Sequence, residues 1–290
     1  SCRAFGHPEF MSVRPAALAG SFYERDPRAL IQEVSRHLEA GAARLASAPL
    51  AERIAELDAP GPQGGPRALL APHAGHFYSG RLAGLALACW LGRDVRRVIM
   101  LGPLHRVHLR QIAIPSVSHV ETPLGKVAID PELASIARGH PAVCEHDGAH
   151  AREHCLEVLL PFVQRVSPEA RVLWLGVGEV EPEAVSDLLR SLGDERSTRV
   201  LVSSDLSHFL SDAGARERDA GTAQRILAHT GVSGEQACGT FPLNGFLRLS
   251  AERGERPLLL GLENSSAASG DTARVVGYGA FAFFPPKGGS

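Results

Sequence analysis

RALLAPHAGHFYSG, residues 67–80, joins a short apolar run to a polar segment that carries His73 and His76. Three further apolar runs have a similar form and end in Gly, Pro, Ser or Asp: RRVIMLGP (96–103), ARVLWLGVG (170–178) and TRVLVSSD (198–205). Short continuous apolar runs are typical of strands buried on both faces, and helical patterns between them are typical of βαβ crossovers. The sequence therefore predicts an α/β fold with a largely parallel central sheet flanked by helices.

Helical patterns lie between these predicted strands. The first helix is predicted over 27–47, where Asp26 is a suitable N-cap and Pro27 occupies the first turn. Further helices are predicted at RLAGLALACWLG (81–92), EHCLEVLLPFVQRV (153–166), PEAVSDLLRSLGD (182–194) and ARERDAGTAQRILAH (215–229). The stretch 111–130 alternates and contains prolines, which favours an antiparallel hairpin or edge, and 273–284 predicts a further strand.

The domain organisation is inferred from the chain length and from the absence of repeats and linker-like segments. The first ten residues, SCRAFGHPEF, precede Met11 and resemble an expression leader. The remaining residues contain neither an internal repeat nor a linker, and their number suits one large α/β unit. We therefore expect a single α/β domain over 11–290.

Composition and charge exclude several classes of partner. Lys and Arg number 30 against 32 Asp and Glu, and no stretch combines basic residues with aromatics as a nucleic-acid surface would. No apolar run reaches the roughly 18 residues that span a bilayer, and the start lacks a basic segment followed by an apolar one. Five cysteines without close CxxC spacing indicate reduced thiols. The sequence thus predicts a cytoplasmic protein that binds neither nucleic acid nor membrane.

Three of the predicted strands end in polar clusters. His73 follows the first strand, His105 follows the second in LGPLHRVH, and SSDLSHF places Asp205 and His208 after another. Because the carboxyl ends of neighbouring parallel strands face one crevice, these four side chains are expected to share a site. Two neutral imidazoles with one anionic ligand form a set that leaves open positions and suits non-haem iron.

Cys238 is the second candidate for the anionic ligand, beside Asp205. It lies in GEQACGTFPLNGFLRLSA (234–251), directly ahead of an amphipathic helical pattern. The backbone dipoles of a helix start are expected to lower the pKa of a thiol and favour the thiolate that a metal needs.

Each of these residues also has a structural interpretation. His73 and His105 could be loop histidines that bond to the backbone, and Cys238 could be a structural thiol. Asp205 could cap a turn, and His208 could be its hydrogen-bond partner. His76, a bystander in this interpretation, could instead line the pocket.

A second group of polar residues lies in EHDGAHAREHCLEVLLPF (145–162). His150 and His154 are four residues apart, yet the segment lacks the Glu that follows the first His in the HExxH zinc-protease motif. An acid-rich helix N-terminus is the alternative. We expect His154 and Glu157 to line the pocket or to form a second shell that supports the metal ligands.

Several strings in a fixed order resemble the Memo family, which includes protein B of the AmmeMemoRadiSam system. They are RPAALAGSFY, APHAGHFYSG, LGPLHRVH, ETPLGKVAID, EHCLEVLLPF, SSDLSHF, ACGTFP and RVVGYGAFAFF. The resemblance implies a fold similar to the LigB-type class III extradiol dioxygenases. It also implies that His73, His105 and Cys238 occupy the metal position, and that His208 resembles the histidine that handles protons in the ring-cleaving relatives.

Two departures from these relatives alter the expected chemistry. Their third ligand is a carboxylate, whereas a Cys238 thiolate is a softer donor that keeps iron acceptable and makes copper more suitable, so dioxygenase activity is not simply inherited. The family pattern often reads GPSHH or GPNHH where this chain has GPLHR. Arg106 therefore stands at the pocket rim, where it attracts an anionic substrate or only faces solvent.

The resulting functional prediction is a non-haem metal-dependent oxygenase or oxidoreductase. Fe(II) is the expected cofactor, copper the second choice and zinc the third, and the substrate is a small molecule or a peptide. His208, oriented by Asp205, is expected to move protons. A non-catalytic metal- or peptide-binding adaptor of the same fold is the main alternative, and a zinc hydrolase is a further one.

Overall fold

A computed structural model describes residues 12–59, 61–193 and 196–287 of the chain, and the predicted leader at 1–10 lies outside these ranges. The helices are α1 (Pro27–Leu45), α2 (Leu50–Leu57), α3 (His76–Ala88), α4 (Pro131–Arg138), α5 (Asp147–His150), α6 (Leu160–Val166), α7 (Pro182–Ser191), α8 (Asp212–Leu227), α9 (Thr240–Glu252) and α10 (Ser266–Ser269). The strands are β1 (Val13–Arg14), β2 (Ala68–Ala71), β3 (Arg97–Pro103), β4 (Ile112–Ile114), β5 (His119–Thr122), β6 (Gly125–Ala128), β7 (Val143–Glu145), β8 (Arg171–Val177), β9 (Thr198–Ser203), β10 (His208–Leu210), β11 (Arg256–Asn264) and β12 (Val275–Phe284).

The main sheet has the strand order β10-β12-β2-β9-β3-β8-β4-β7, and β11 also pairs with β12. Its centre is parallel, since β2 pairs with β9, β9 with β3 and β3 with β8 in the same direction. These central strands are the four apolar runs of the sequence, and nearly all their side chains are buried. The predicted fold class, an α/β fold with a largely parallel central sheet, is therefore confirmed.

Antiparallel strands flank this parallel centre. β12 runs antiparallel to β2, and β4 runs antiparallel to β8. The predicted hairpin within 111–130 is present as β5 and β6, which form a separate small sheet with β1. β11 was not predicted: it begins with Arg-Pro, and its register shifts between Leu259 and Gly261, so the sequence lacks a regular strand pattern.

Helix α1 begins as predicted. The Asp26 carboxylate accepts hydrogen bonds from the backbone N–H groups of Arg28 and Ala29 at 3.0 and 2.9 Å, which satisfies two of the N–H groups left unpaired at a helix start. The helix ends at Leu45, two residues before the predicted limit.

The predicted helix over 153–166 is wrong in its first half, because only Leu160–Val166 is helical. The Glu153 carboxylate accepts from the backbone N–H groups of His154 and Cys155 at 2.9 and 3.2 Å. Pro161 then stands in the first turn of α6, a position where its missing N–H costs nothing and from which a helix does not extend backwards.

Arg14 ties the N-terminal segment to this non-helical loop. Its guanidinium is buried and donates to the carbonyls of His150 and Glu153 at 2.7 and 2.8 Å and to the Glu157 carboxylate at 2.6 Å. Glu157 also accepts from the Tyr23 hydroxyl at 2.6 Å. The expectation that Glu157 lines the pocket or supports a metal ligand is thus corrected. Its carboxylate balances the charge of the buried Arg14 and anchors residues 13–23.

His150 makes the stability of the fold dependent on pH. Burial and, to a smaller extent, the Arg14 charge lower the pKa of His150 to about 4. An unfolded chain protonates this histidine near pH 6.5, so its contribution is complete above pH 6.5 and is lost as the pH falls towards 4. Between pH 7 and pH 4 the free energy of unfolding should fall by about 3 kcal/mol more in the wild type than in His150→Gln.

Urea unfolding at the two pH values measures this difference. Because the other titrating groups are common to both proteins, the comparison isolates His150. Equal losses in the two proteins would show that His150 does not resist protonation in the folded state.

Among the described residues, no helix has both the length and the apolar character needed to cross a bilayer.

Candidate metal centre

His73, His105 and Cys238 come together at one edge of the main sheet. One ligand atom from each lies within 4.8 Å of the other two, and His73 Nε2 is 3.3 Å from Cys238 Sγ. His73 lies two residues beyond the end of β2, and His105 two residues beyond the end of β3. Both strands flank β9, so the parallel sheet itself brings the two histidines side by side.

The hydrogen bonds of His73 determine its tautomer. The Ser203 hydroxyl donates its single proton to the Cys155 carbonyl at 2.6 Å, so its oxygen accepts from His73 Nδ1–H at 2.7 Å. His73 Nε2 therefore carries a lone pair. Burial lowers the pKa of His73 well below its ordinary value, and neighbouring histidines lower it further, so the ring is neutral.

Glu153 determines the tautomer of His105 in the same way. One carboxylate oxygen accepts from His105 Nδ1–H at 2.9 Å and the other from the His105 backbone N–H at 2.7 Å. Burial raises the pKa of Glu153, but the hydrogen bonds from His105 and His154 outweigh that effect and hold it well below the usual range. An ionised carboxylate only accepts, so His105 also keeps its Nε2 lone pair for a ligand.

Cys238 approaches the two histidines from the loop before α9. The Asp205 backbone N–H donates to Cys238 Sγ at 3.3 Å. Burial and, to a smaller extent, the Asp205 carboxylate raise the pKa of Cys238 to about 12. The expectation that the helix start would lower this pKa is wrong, because desolvation exceeds the effect of the backbone hydrogen bonds. A thiolate here requires a cation beside it.

Asp205 contacts this group directly, whereas the His208 charge is near enough to lower the pKa of His73. The Asp205 carboxylate accepts from the His73 backbone N–H at 2.7 Å and so positions the segment that carries the first histidine. The His208 ring is held by the Leu206 carbonyl, which accepts from Nδ1–H at 2.8 Å. The orientation that we expected from Asp205 thus comes from the backbone, and Nε2 of His208 is the nitrogen that can accept a proton.

His154 is the third imidazole of the cluster. Its ring stacks on His105 with centroids 4.6 Å apart and meets the His73 ring edge-on at 5.3 Å. Its Nδ1 is 3.2 Å from a Glu153 oxygen. His105, Glu153 and His154 also have ligand atoms within 4.8 Å of one another, but His105 Nδ1 and Glu153 already bond to each other. His154 therefore contacts both predicted metal-binding histidines through its ring.

His76 and Arg106 were both predicted to line the pocket. The structure buries His76 and leaves Arg106 exposed. His76 Nδ1 is 3.0 Å from Glu33 and its Nε2 is 2.8 Å from the Val158 carbonyl, so both nitrogens are used within the buried packing of α3. The pocket role predicted for His76 is therefore corrected. Arg106 is exposed and makes no hydrogen bond or ion pair with any residue that the structure describes.

Sequence reasoning missed two orienting side chains, Glu153 and Ser203. Each lies far along the chain from the histidine that it holds, by 48 and 130 residues. The only sequence signals were an acid directly before His154 and a serine at the end of a buried strand. Neither signal names its partner.

The residues fit a transition metal. Two imidazoles with fixed tautomers present their Nε2 atoms next to a thiol, and each imidazole has the outer hydrogen-bond partner that metal-bound histidines usually have. Thiolate and imidazole donors together suit iron, copper or zinc.

Replacing Glu153 with Gln should weaken metal binding by about 10- to 100-fold, because an amide no longer enforces the His105 tautomer. Metal titration of the purified variant measures the change. Glu179→Gln is the matched control, since Glu179 lies 3.4 Å from His108 in an exposed pair. If Glu153→Gln binds metal with unchanged affinity, Glu153 does not orient His105 for metal binding.

Comparison with known proteins gives the same family as the sequence motifs that resemble the Memo family. A family model described as Memo-like protein matches residues 14–282. A MEMO1 family protein of Aquifex aeolicus is 31% identical, with 92% of this chain and 98% of the relative covered. A MEMO1 family protein of Ignicoccus hospitalis is 32% identical, with 94% and 99% covered. The chain belongs to the Memo family.

Proposed function

We propose that the protein is a non-haem metal-dependent oxygenase or oxidoreductase that holds Fe(II), or alternatively copper, with His73, His105 and Cys238. The observation that supports this most is the pair of fixed histidine tautomers. Each ring is held through Nδ1, which leaves its Nε2 to bind a metal, and His73 Nε2 lies 3.3 Å from Cys238 Sγ. Three protein ligands leave coordination positions open, as in non-haem iron oxygenases.

The bound metal would supply sites for dioxygen and an organic substrate and the electron transfer that side chains lack. The chain's own residues supply orientation and proton transfer. His208 Nε2 accepts a proton from the substrate, and the Leu206 carbonyl keeps that nitrogen free by binding Nδ1–H. The His154 ring, stacked on His105, forms a flat wall of the cluster.

The substrate is a small organic molecule or a peptide, and Arg106 at the rim favours an anionic one. The near balance of 30 basic and 32 acidic residues supports the proposal that neither nucleic acid nor membrane is a partner. We place this activity in the cytoplasm.

A non-catalytic adaptor is the second candidate, and the exposed aromatic side chains support it. Phe77 is 69% exposed and Tyr78 45% exposed, and both follow His73 at the start of α3. Aromatic side chains of this kind are common anchors in peptide recognition. An adaptor would retain peptide binding after the metal site is removed, whereas an oxygenase would lose turnover.

Oxygen consumption tests the proposal. The protein is reconstituted anaerobically with Fe(II) and then exposed to oxygen with candidate catechols or peptides. His208→Gln should retain iron but consume oxygen about a hundredfold more slowly, because the proton acceptor is lost. His119→Gln is the control and should match the wild type, because His119 is a half-buried histidine on β5 in the small separate sheet. Iron binding without oxygen consumption by the wild type would contradict the oxygenase assignment.

A further inference from the structure

Phe209, next to His208, has a backbone conformation that is rare for its residue type. Its φ is 64°, in the left-handed region that bulky side chains seldom adopt. Its ring is 62% exposed, so core packing does not offset the strain. Strained residues of this kind are concentrated at functional sites.

The strain at Phe209 arises from an irregular strand pairing. β10 pairs with β12 through His208 with Val276 and Leu210 with Val275, and the register shifts between the two pairs. Phe209 is therefore the extra residue of a β-bulge, a feature that redirects a side chain and is common beside active sites. The bulge directs the Phe209 ring to within 5.6 Å of the His208 ring, centroid to centroid.

Arg274, the residue before β12, covers this ring. Its guanidinium carbon lies 4.3 Å from the Phe209 centroid. The side chain is exposed and makes no hydrogen bond or ion pair within 12–59, 61–193 or 196–287. Nearby acids are occupied elsewhere, since Asp271 accepts from the Ala273 backbone N–H and Asp212 from Arg216. A guanidinium that lies over a ring keeps N–H groups available for a carboxylate.

The charges around the metal centre favour the same ligand class. Asp205 and Glu153 lie among the buried residues of the cluster. Arg106 follows His105 and Arg152 precedes Glu153, and both are exposed with no hydrogen bond or ion pair to any residue that the structure describes. Cations at the edge of an acidic site attract an anion to the edge rather than to the buried acids.

We propose that Arg274, stacked on Phe209, binds a carboxylate group of the substrate, which is therefore a small organic acid. The proposal rests on the proposed function in one respect, namely that the rest of the acid reaches His208. Carboxylate binding itself requires neither metal nor oxygen.

Nuclear magnetic resonance titration of the ¹⁵N-labelled protein tests this with two probes, benzoate and benzamide, which share a ring and differ in charge. Benzoate should shift the amide signals of Phe209 and Arg274 and bind at least tenfold more tightly than benzamide. Arg274→Gln should abolish the preference, and Arg274→Lys should restore part of it. Arg36→Gln, an exposed arginine on α1, is the control and should keep the full preference.

The proposal is overturned if the wild type binds both probes equally or binds neither, or if Arg274→Gln keeps the preference. A benzoate preference in a protein that never consumes oxygen would contradict the proposed function alone. Oxygen consumption without a benzoate preference would contradict only the role of Arg274.

Discussion

Replacing Cys238 with alanine should lower metal affinity by about a hundredfold to a thousandfold and leave the fold intact. Zinc-finger sites with four ligands bind their metal by about 10–16 kcal/mol, so one ligand contributes about 2.5–4 kcal/mol. The lost side chain is also the anionic donor of the group, since His73 and His105 are neutral imidazoles when they bind. Titration with Fe(II) or Zn(II) measures the affinity.

The control for Cys238→Ala is Cys144→Ala. Cys144 lies on β7 at the edge of the main sheet and is half-buried, so its removal should not change metal binding. Circular dichroism shows whether each variant folds. A folded Cys238→Ala protein with wild-type affinity would mean that the thiol is structural.

Replacing Arg14 with methionine should lower the free energy of unfolding by about 3–5 kcal/mol. The change leaves the fully buried Glu157 carboxylate without its cation at 2.6 Å. It also removes the donors to the carbonyls of His150 and Glu153. Denaturant unfolding of the metal-free protein measures the loss.

Two control variants separate the effect of leaving a buried charge unpaired from the general effect of losing an arginine. Arg216→Met breaks an ion pair at the surface with Asp212 and should change the free energy of unfolding much less, because water and salt screen such a pair. The double variant Arg14→Met with Glu157→Gln should be more stable than Arg14→Met alone, because no buried charge is left uncompensated. A loss below about 1 kcal/mol in Arg14→Met would show that Glu157 does not depend on its partner.

The parallel sheet and the convergence of His73 with His105 could be predicted because both depend on local patterns. Strands β2, β3, β8 and β9 are continuous apolar runs, and only burial on both faces explains such runs. Once these strands are placed in parallel, the residues that follow them must meet at one edge of the sheet. Cys238 was different, since its assignment to the metal position depended largely on family resemblance.

The orienting contacts could not be predicted, because they join distant parts of the chain. The segment 153–159 has a helical pattern, yet Glu153 bonds to His105 and Glu157 bonds to Arg14, so tertiary contacts outweigh helix propensity. The pKa of Cys238 was misjudged for a related reason, because the sequence shows the helix start but not the depth of burial.

X-ray absorption spectroscopy of the iron-loaded protein tests the central claim most directly, because it identifies the atoms bound to the metal. If iron is bound by His73, His105 and Cys238, the spectrum should show one sulfur and two imidazole nitrogens around each iron. The sulfur signal should be absent in Cys238→Ala. An iron shell of the wild type that contains only nitrogen and oxygen would contradict the assignment.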